Sequence, residues 1–118
     1  MPKILIVDDA EFLRVRISRM LTSNGYEVVE ADNGANAVNK YKESRPDAVL
    51  MDITMPEMDG LAALKAIRAV DPSARVVMLT ALGQESVVLE AIKSGARDFV
   101  VKPFEPDRVL AAISRALA

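Results

Sequence analysis

The chain has 118 residues, about half of them apolar (51%), and a formal charge of -2. That is the size of one domain, able to bury roughly two thirds of the surface its unfolded form exposes. Neither cysteine nor histidine is present, which removes disulfides, thiolate metal sites, imidazole ligation and the commonest general base, and with no basic block there is no electrostatic footprint for nucleic acid or an anionic membrane.

In chain order, Ile4, Leu5, Ile6 and Val7 form a continuous apolar run, the pattern of a strand covered on both faces. The start is too short and wrongly flanked for a signal peptide, and no run of eighteen apolar residues follows, so the chain reads as soluble and cytoplasmic. Leu13, Ile17, Met20 and Leu21 then recur at helical spacing, and Asn24-Gly25 marks where that helix stops. Residues 27–31 are more polar and suit a strand near a sheet edge. Pro46 punctuates the approach to residues 48–51, a second strand of the buried type. Leu61, Leu64 and Ile67 mark another amphipathic helix, which Pro72 separates from a third buried strand at residues 76–79. Val88, Ala91 and Ile92 give the next helical face, closed by Ser94-Gly95. Residues 98–101 make the other edge strand, and Pro106 precedes a last helix carrying Leu110, Ile113 and Leu117. Five strands alternate with five helical patterns, without a composition break or repeat. The expectation is one domain over residues 1–118, a doubly wound (βα)5 parallel five-stranded sheet with helices on both faces.

In such folds the ligand site lies at the carboxyl ends of the strands. Asp8-Asp9 follow the first strand, Asp52 the third, Thr80-Ala81 the fourth and Lys102-Pro103 the fifth. Three converging carboxylates repel one another unless a hard cation is present, and Mg2+ takes oxygen ligands of this kind. Taken singly, Asp8 or Asp9 suits a helix cap, Lys102 a solvated lysine and Thr80 a strand end; the joint placement is what points to a site. A cation, an ammonium and a hydroxyl are what a phosphoryl group needs around it, and a carboxylate such as Asp52 is a known type of phosphoryl-accepting nucleophile. The methionines Met51, Met55, Met58 and Met78 read as core filler.

At this point the residues resemble the response-regulator receiver family, and within it the stand-alone chemotaxis regulators. The carriers are Ile4-Leu5-Ile6-Val7-Asp8-Asp9, Met51-Asp52-Ile53-Thr54-Met55-Pro56-Glu57-Met58-Asp59-Gly60, Leu79-Thr80-Ala81, and Lys93-Ser94-Gly95-Ala96-Arg97-Asp98-Phe99-Val100-Val101-Lys102-Pro103-Phe104. The resemblance spans essentially the whole chain. It implies a flavodoxin-like strand order of 2-1-3-4-5. It further implies that Asp52 is the phosphoacceptor, and that Asp8, Asp9, Asp52 and the Thr54 backbone carbonyl hold Mg2+, with Mn2+ as a substitute. Thr54, Thr80, Ala81 and Lys102 would bind phosphoryl oxygens, Thr80 and Phe99 would form the switch, and the Lys102-Pro103 bond would be cis. Thr54 and Leu82 would tune phosphate loss, with Leu82 screening the acyl phosphate from water.

The implied role is a two-component response regulator, a phosphoacceptor and not a turnover enzyme, that takes its phosphoryl group from a chemotaxis-type sensor histidine kinase. Because the chain ends at Ala118, just after the last helix, output is expected through partner binding on the fourth helix, fifth strand and fifth helix, about residues 84–117. The flagellar motor switch is the expected target and a phosphatase a further partner, with no nucleic acid or membrane. Two alternatives stay open here: a receiver cut from a DNA-binding regulator, and a haloacid-dehalogenase-type phosphatase. The second lacks its usual acid two residues after the nucleophile, where Thr54 stands.

Overall fold

The computed structural model describes residues 1–53, 59–81 and 83–118. The elements run β1 (Lys3–Val7), α1 (Glu11–Ser23), β2 (Glu27–Ala31), α2 (Gly34–Ser44), β3 (Ala48–Asp52), α3 (Gly60–Val70), β4 (Val76–Thr80), α4 (Glu85–Lys93), β5 (Asp98–Val101) and α5 (Pro106–Leu117). All strand pairs are parallel, in the order β2-β1-β3-β4-β5. The apolar runs of β1, β3 and β4 place them in the middle, where both faces are covered. The more polar β2 and β5 are the edges.

Side chains alternate across the sheet, so each central strand feeds two cores. Leu5, Val7, Val49, Met51, Val76 and Met78 pack under α2, α3 and α4 with Ala37, Tyr41, Ala63, Leu64, Ile67, Val88 and Ala91. Ile4, Ile6, Leu50, Val77 and Leu79 pack on the other face under α1 and α5 with Ile17, Leu21, Val109, Ala112, Ile113 and Ala116. Met51 and Met78 are fully buried filler, as read from the sequence; Met55 and Met58 lie outside the described residues.

Two helical faces differ from the sequence reading. In α5 the buried stripe is Val109, Ala112, Ile113 and Ala116, with Leu110 and Leu117 only partly buried, because two alanines let the helix approach the sheet closely. In α4 Val88 and Ala91 are buried and Val87 packs partly buried against the same core; Ile92 is 42% exposed and Leu89 62%. No described helix is long and apolar enough to cross a membrane.

The start of α3 sits hard against the end of β3. A Cβ on Gly60 would lie 2.1 Å from the Asp52 carbonyl oxygen and 2.7 Å from Ile53 Cα, and the Gly60 N–H donates to the Ile53 carbonyl at 2.8 Å. Asp59 caps the helix by accepting the Ala62 N–H at 2.8 Å. Only glycine permits this approach. Gly60→Ala, which in an open helix would stabilise, is expected to destabilise this protein by about 1–3 kcal/mol through backbone overpacking, read from the urea midpoint.

A second tie joins α2 to the loop after α3. The buried Tyr41 hydroxyl donates to Asp71 Oδ2 at 2.7 Å. Burial, then the Asp71 carboxylate, pushes the Tyr41 phenol well above its usual range. The Tyr41 hydroxyl and the Ser73 hydroxyl and N–H together pull Asp71 down to about 2. Asp71 is depressed, so its contribution is full above its unfolded value of 3.8 and is lost as pH falls through about 2. Tyr41 is raised, so its contribution is full below its unfolded value of 10.0 and is lost as pH climbs beyond it. The stability gap between wild type and Tyr41→Phe is therefore expected to stay flat between roughly pH 5 and 9 and to narrow at both extremes. In the variant, the Asp71 carboxyl followed by NMR should titrate closer to the ordinary range.

Candidate metal and anion site

Parallel strands send their C-terminal ends to one edge, and the residues that end or follow β1, β3, β4 and β5 meet there. Asp8 and Asp9 follow β1, Asp52 ends β3, Thr80 ends β4, and Lys102 follows β5. Asp8, Asp9 and Asp52 each offer a carboxylate oxygen within 4.8 Å of the others. Asp8 and Asp52 are buried and Asp9 is exposed. Like charges at this spacing cost roughly 3–4 kcal/mol per pair at the effective dielectric of a partly buried site, so compensating charge is required. Lys102 supplies part of it. Its Nζ lies 3.3 Å from Asp8 Oδ2 and 3.2 Å from Asp52 Oδ1.

The backbone fixes each participant. The Asp8 N–H donates to the Ala31 carbonyl at 3.2 Å, and the Ile53 N–H to the Leu79 carbonyl at 3.0 Å. The Lys102 N–H donates to the Thr80 carbonyl at 2.7 Å, and the Lys102-Pro103 bond is cis. Asp8 Oδ1 also accepts the Ala10 N–H at 2.9 Å, a local turn contact and not the helix cap weighed for Asp8 or Asp9. The N-cap of α1 is Ala10, which offers no side-chain cap bond.

Sequence reasoning missed three supports. Arg14, on the first turn of α1, donates Nη1 to the Asp8 carbonyl and pairs through Nε with Glu30 at 3.2 Å. Gly60 allows α3 to lie against the Asp52 backbone. Gln84 takes the donors at the end of β4: its Oε1 accepts the Thr80 hydroxyl at 3.0 Å and the Ala81 N–H at 2.7 Å. Only the glycine left a local signal, standing just after a helix-capping Asp59. Thr54 and Leu82 lie outside the described residues. Phe99 is not a core residue; it is 36% exposed and lines a groove of about 330 Å³ between α4 and β5 with Val88, Leu89, Ile92 and Val101.

One ammonium against three carboxylates leaves this edge two negative charges from neutrality, the charge of a divalent cation. Clustered carboxylate oxygens, without sulfur or imidazole, suit a hard ion. A ligand that binds only the folded state stabilises it. About 10 mM Mg2+ is therefore expected to raise the melting temperature by roughly 2–5 °C. Asp9→Asn should abolish most of that rise, whereas Asp107→Asn, the same charge change on α5, should leave it intact.

Comparison with known proteins gives a consistent picture. Residues 4–114 match the family described as the response regulator receiver domain. The chemotaxis protein CheY of Bacillus subtilis (strain 168) is 60% identical over 116 residues, covering 98% of this chain and 97% of that one. CheY of Thermotoga maritima is 54% identical over 114 residues, with 96% and 95% covered. Among solved structures, the CheX-CheY-BeF3-Mg2+ complex from Borrelia burgdorferi superimposes with a TM-score of 0.92 at 39% identity, covering 98% of this chain and 89% of that one.

Proposed function

The chain belongs to the response regulator receiver family, and from that membership we propose that Asp52 is its phosphoacceptor and that the face formed by α4, β5 and α5 is its output. It acts in two-component signalling as an acceptor of a phosphoryl group, not as a turnover enzyme on an external substrate. The observation that carries the assignment is the Lys102 ammonium shared between Asp8 and Asp52, whose carboxylates cluster with that of Asp9.

In this reading an Asp52 carboxylate oxygen attacks phosphorus on the phosphohistidine of a sensor histidine kinase. The new P–O bond forms as the P–N bond breaks, and the departing imidazole takes up a proton. Lys102 neutralises charge on the transferring group. The Thr80 hydroxyl and Ala81 N–H, at the end of β4, bind its oxygens, and family membership adds Thr54 as a further ligand of them. Preorganised donors of this kind carry most of the catalysis in phosphoryl transfer. Asp8, Asp9, Asp52 and the Thr54 carbonyl would hold Mg2+, or Mn2+ in its place. When bound, the ion supplies charge neutralisation and in-line orientation.

A phosphoryl group brings about 1.5–2 negative charges, which demand new hydrogen bonds and draw the Thr80 and Lys102 loops inward. Phe99, which lines the same groove as Thr80, would follow that movement. We take the phosphodonor to be a chemotaxis-type kinase in the cytoplasm and the target to be the flagellar motor switch, supported by the similarity to CheY proteins over nearly their full length. That the Borrelia CheY is found with CheX, beryllofluoride and Mg2+ supports a partner, such as a phosphatase, that meets the loaded state.

Intact-protein mass after incubation with acetyl phosphate tests the chemistry. Wild type with Mg2+ is expected to gain one phosphoryl group, about 80 Da. Asp52→Ala should gain none, chelation should prevent the gain, and Lys102→Met should slow it by about 100-fold or more. An undiminished adduct on Asp52→Ala would overturn the assignment, as would a wild type that takes neither phosphoryl nor beryllofluoride.

A further inference from the structure

One polar side chain at this edge has no part in holding a cation or a phosphoryl group. Gln84 occupies the N-cap position of α4, yet makes no capping bond to that helix. Its side chain folds back to the end of β4, where Oε1 accepts the Ala81 N–H at 2.7 Å and the Thr80 hydroxyl at 3.0 Å. Thr80 is 2% exposed, so its hydroxyl must find a partner inside the protein. The two donors that converge on Gln84 are the two assigned above to phosphoryl oxygens. A carboxamide oxygen carries partial negative charge and accepts two hydrogen bonds. It offers these donors what a phosphoryl oxygen would.

We propose that Gln84 is a placeholder for the phosphoryl group: its carboxamide oxygen satisfies the Thr80 hydroxyl and the Ala81 N–H while Asp52 is unmodified, and must be displaced before those donors reach a phosphoryl oxygen. The inference rests on Asp52 being the phosphoacceptor. A contact made in only one of two states biases the equilibrium between them. Gln84 therefore holds the unmodified state and sets how much driving force the phosphoryl group must supply. The same exchange releases the side chain of the residue at the N-cap of α4. Gln84 also lines the groove with Leu89, Ile92 and Phe99, so occupancy of Asp52 becomes legible on the α4 face through one side chain.

Losing the placeholder does not orphan the hydroxyl. The Ala81 carbonyl lies 3.2 Å from Thr80 Oγ1 and can take its proton instead. Gln84→Met keeps the side-chain length and groove contact without the acceptor, and should fold.

The test is titration of Mg2+-loaded protein with beryllofluoride, a phosphoryl mimic, followed by amide NMR, together with hydrogen exchange of the ligand-free protein. Gln84→Met is expected to bind beryllofluoride about three- to tenfold more tightly than wild type, one or two hydrogen bonds' worth of bias removed. Its Ala81 N–H should exchange about tenfold faster than in wild type while α4 keeps its protection. Gln84→Glu, a stronger acceptor whose charge opposes the incoming group, should bind more weakly than wild type. Equal affinity for wild type and Gln84→Met overturns the placeholder while leaving the phosphoacceptor assignment intact. So does weaker binding by Gln84→Met with loosened amides throughout α4, the signature of a purely structural role. A wild type that takes no beryllofluoride at all overturns both.

Discussion

Everything at the functional edge answers to one electrostatic problem, three carboxylates crowded at the ends of two neighbouring strands. Lys102 resolves part of it by standing between Asp8 and Asp52 at near-equal distances. That position is unusual for a lysine, which is ordinarily solvated and mobile. Here the Lys102 N–H is bonded to the Thr80 carbonyl, so the chain leaving β5 is held where its ammonium must reach inward. The remaining negative charge is not an error of the fold. It is the affinity of the site for a cation, kept by surroundings that bury two of the three acids.

The rest of the architecture reads as support for that crowding. β1 and β3 are adjacent because both are apolar enough to be covered on two faces, and adjacency brings Asp8 beside Asp52. Arg14 grips the Asp8 carbonyl from α1 while anchored to Glu30 on β2, so two elements fix one acid. Gly60 lets α3 press on the Asp52 backbone from the other side. With their backbones held, Asp8 and Asp52 cannot draw apart by moving the strand ends, so their repulsion has to be met by neutralising charge.

Much of this was legible in the sequence, for a physical reason. Continuous apolar runs distinguish strands covered on both faces from edge strands, and the residue after each strand must lie at the sheet's C-terminal edge, so Asp8, Asp9, Asp52, Thr80 and Lys102 could be brought together from spacing alone. What spacing does not encode is the direction a long side chain takes. Arg14 is one arginine among several on α1, and Gln84 looks like an ordinary polar residue ahead of a helix; only rotamers show that one reaches back to a carbonyl and the other to two donors. Helical periodicity failed in a similar way on α4. It counted Ile92 as inward, whereas on the helix beside the four-residue edge strand β5 that side chain is 42% exposed.

That exposed face has a cost that only function can justify. Leu89, Ile92, Phe99 and Val101 are between 36% and 62% exposed and lie together along α4 and β5. A contiguous apolar patch of this kind, beside a groove, is the signature of a protein interface. It runs along β5 from Phe99 to Val101 and reaches Thr80 at the end of β4, the edge where the acid cluster lies. Thr80 belongs to both places, closing β4 at the cluster and lining the groove. A change of charge at Asp52 therefore need not travel through the core to reach a partner. It has only to re-aim the donors at the end of β4, and the first side chain they let go is the one from which α4 begins.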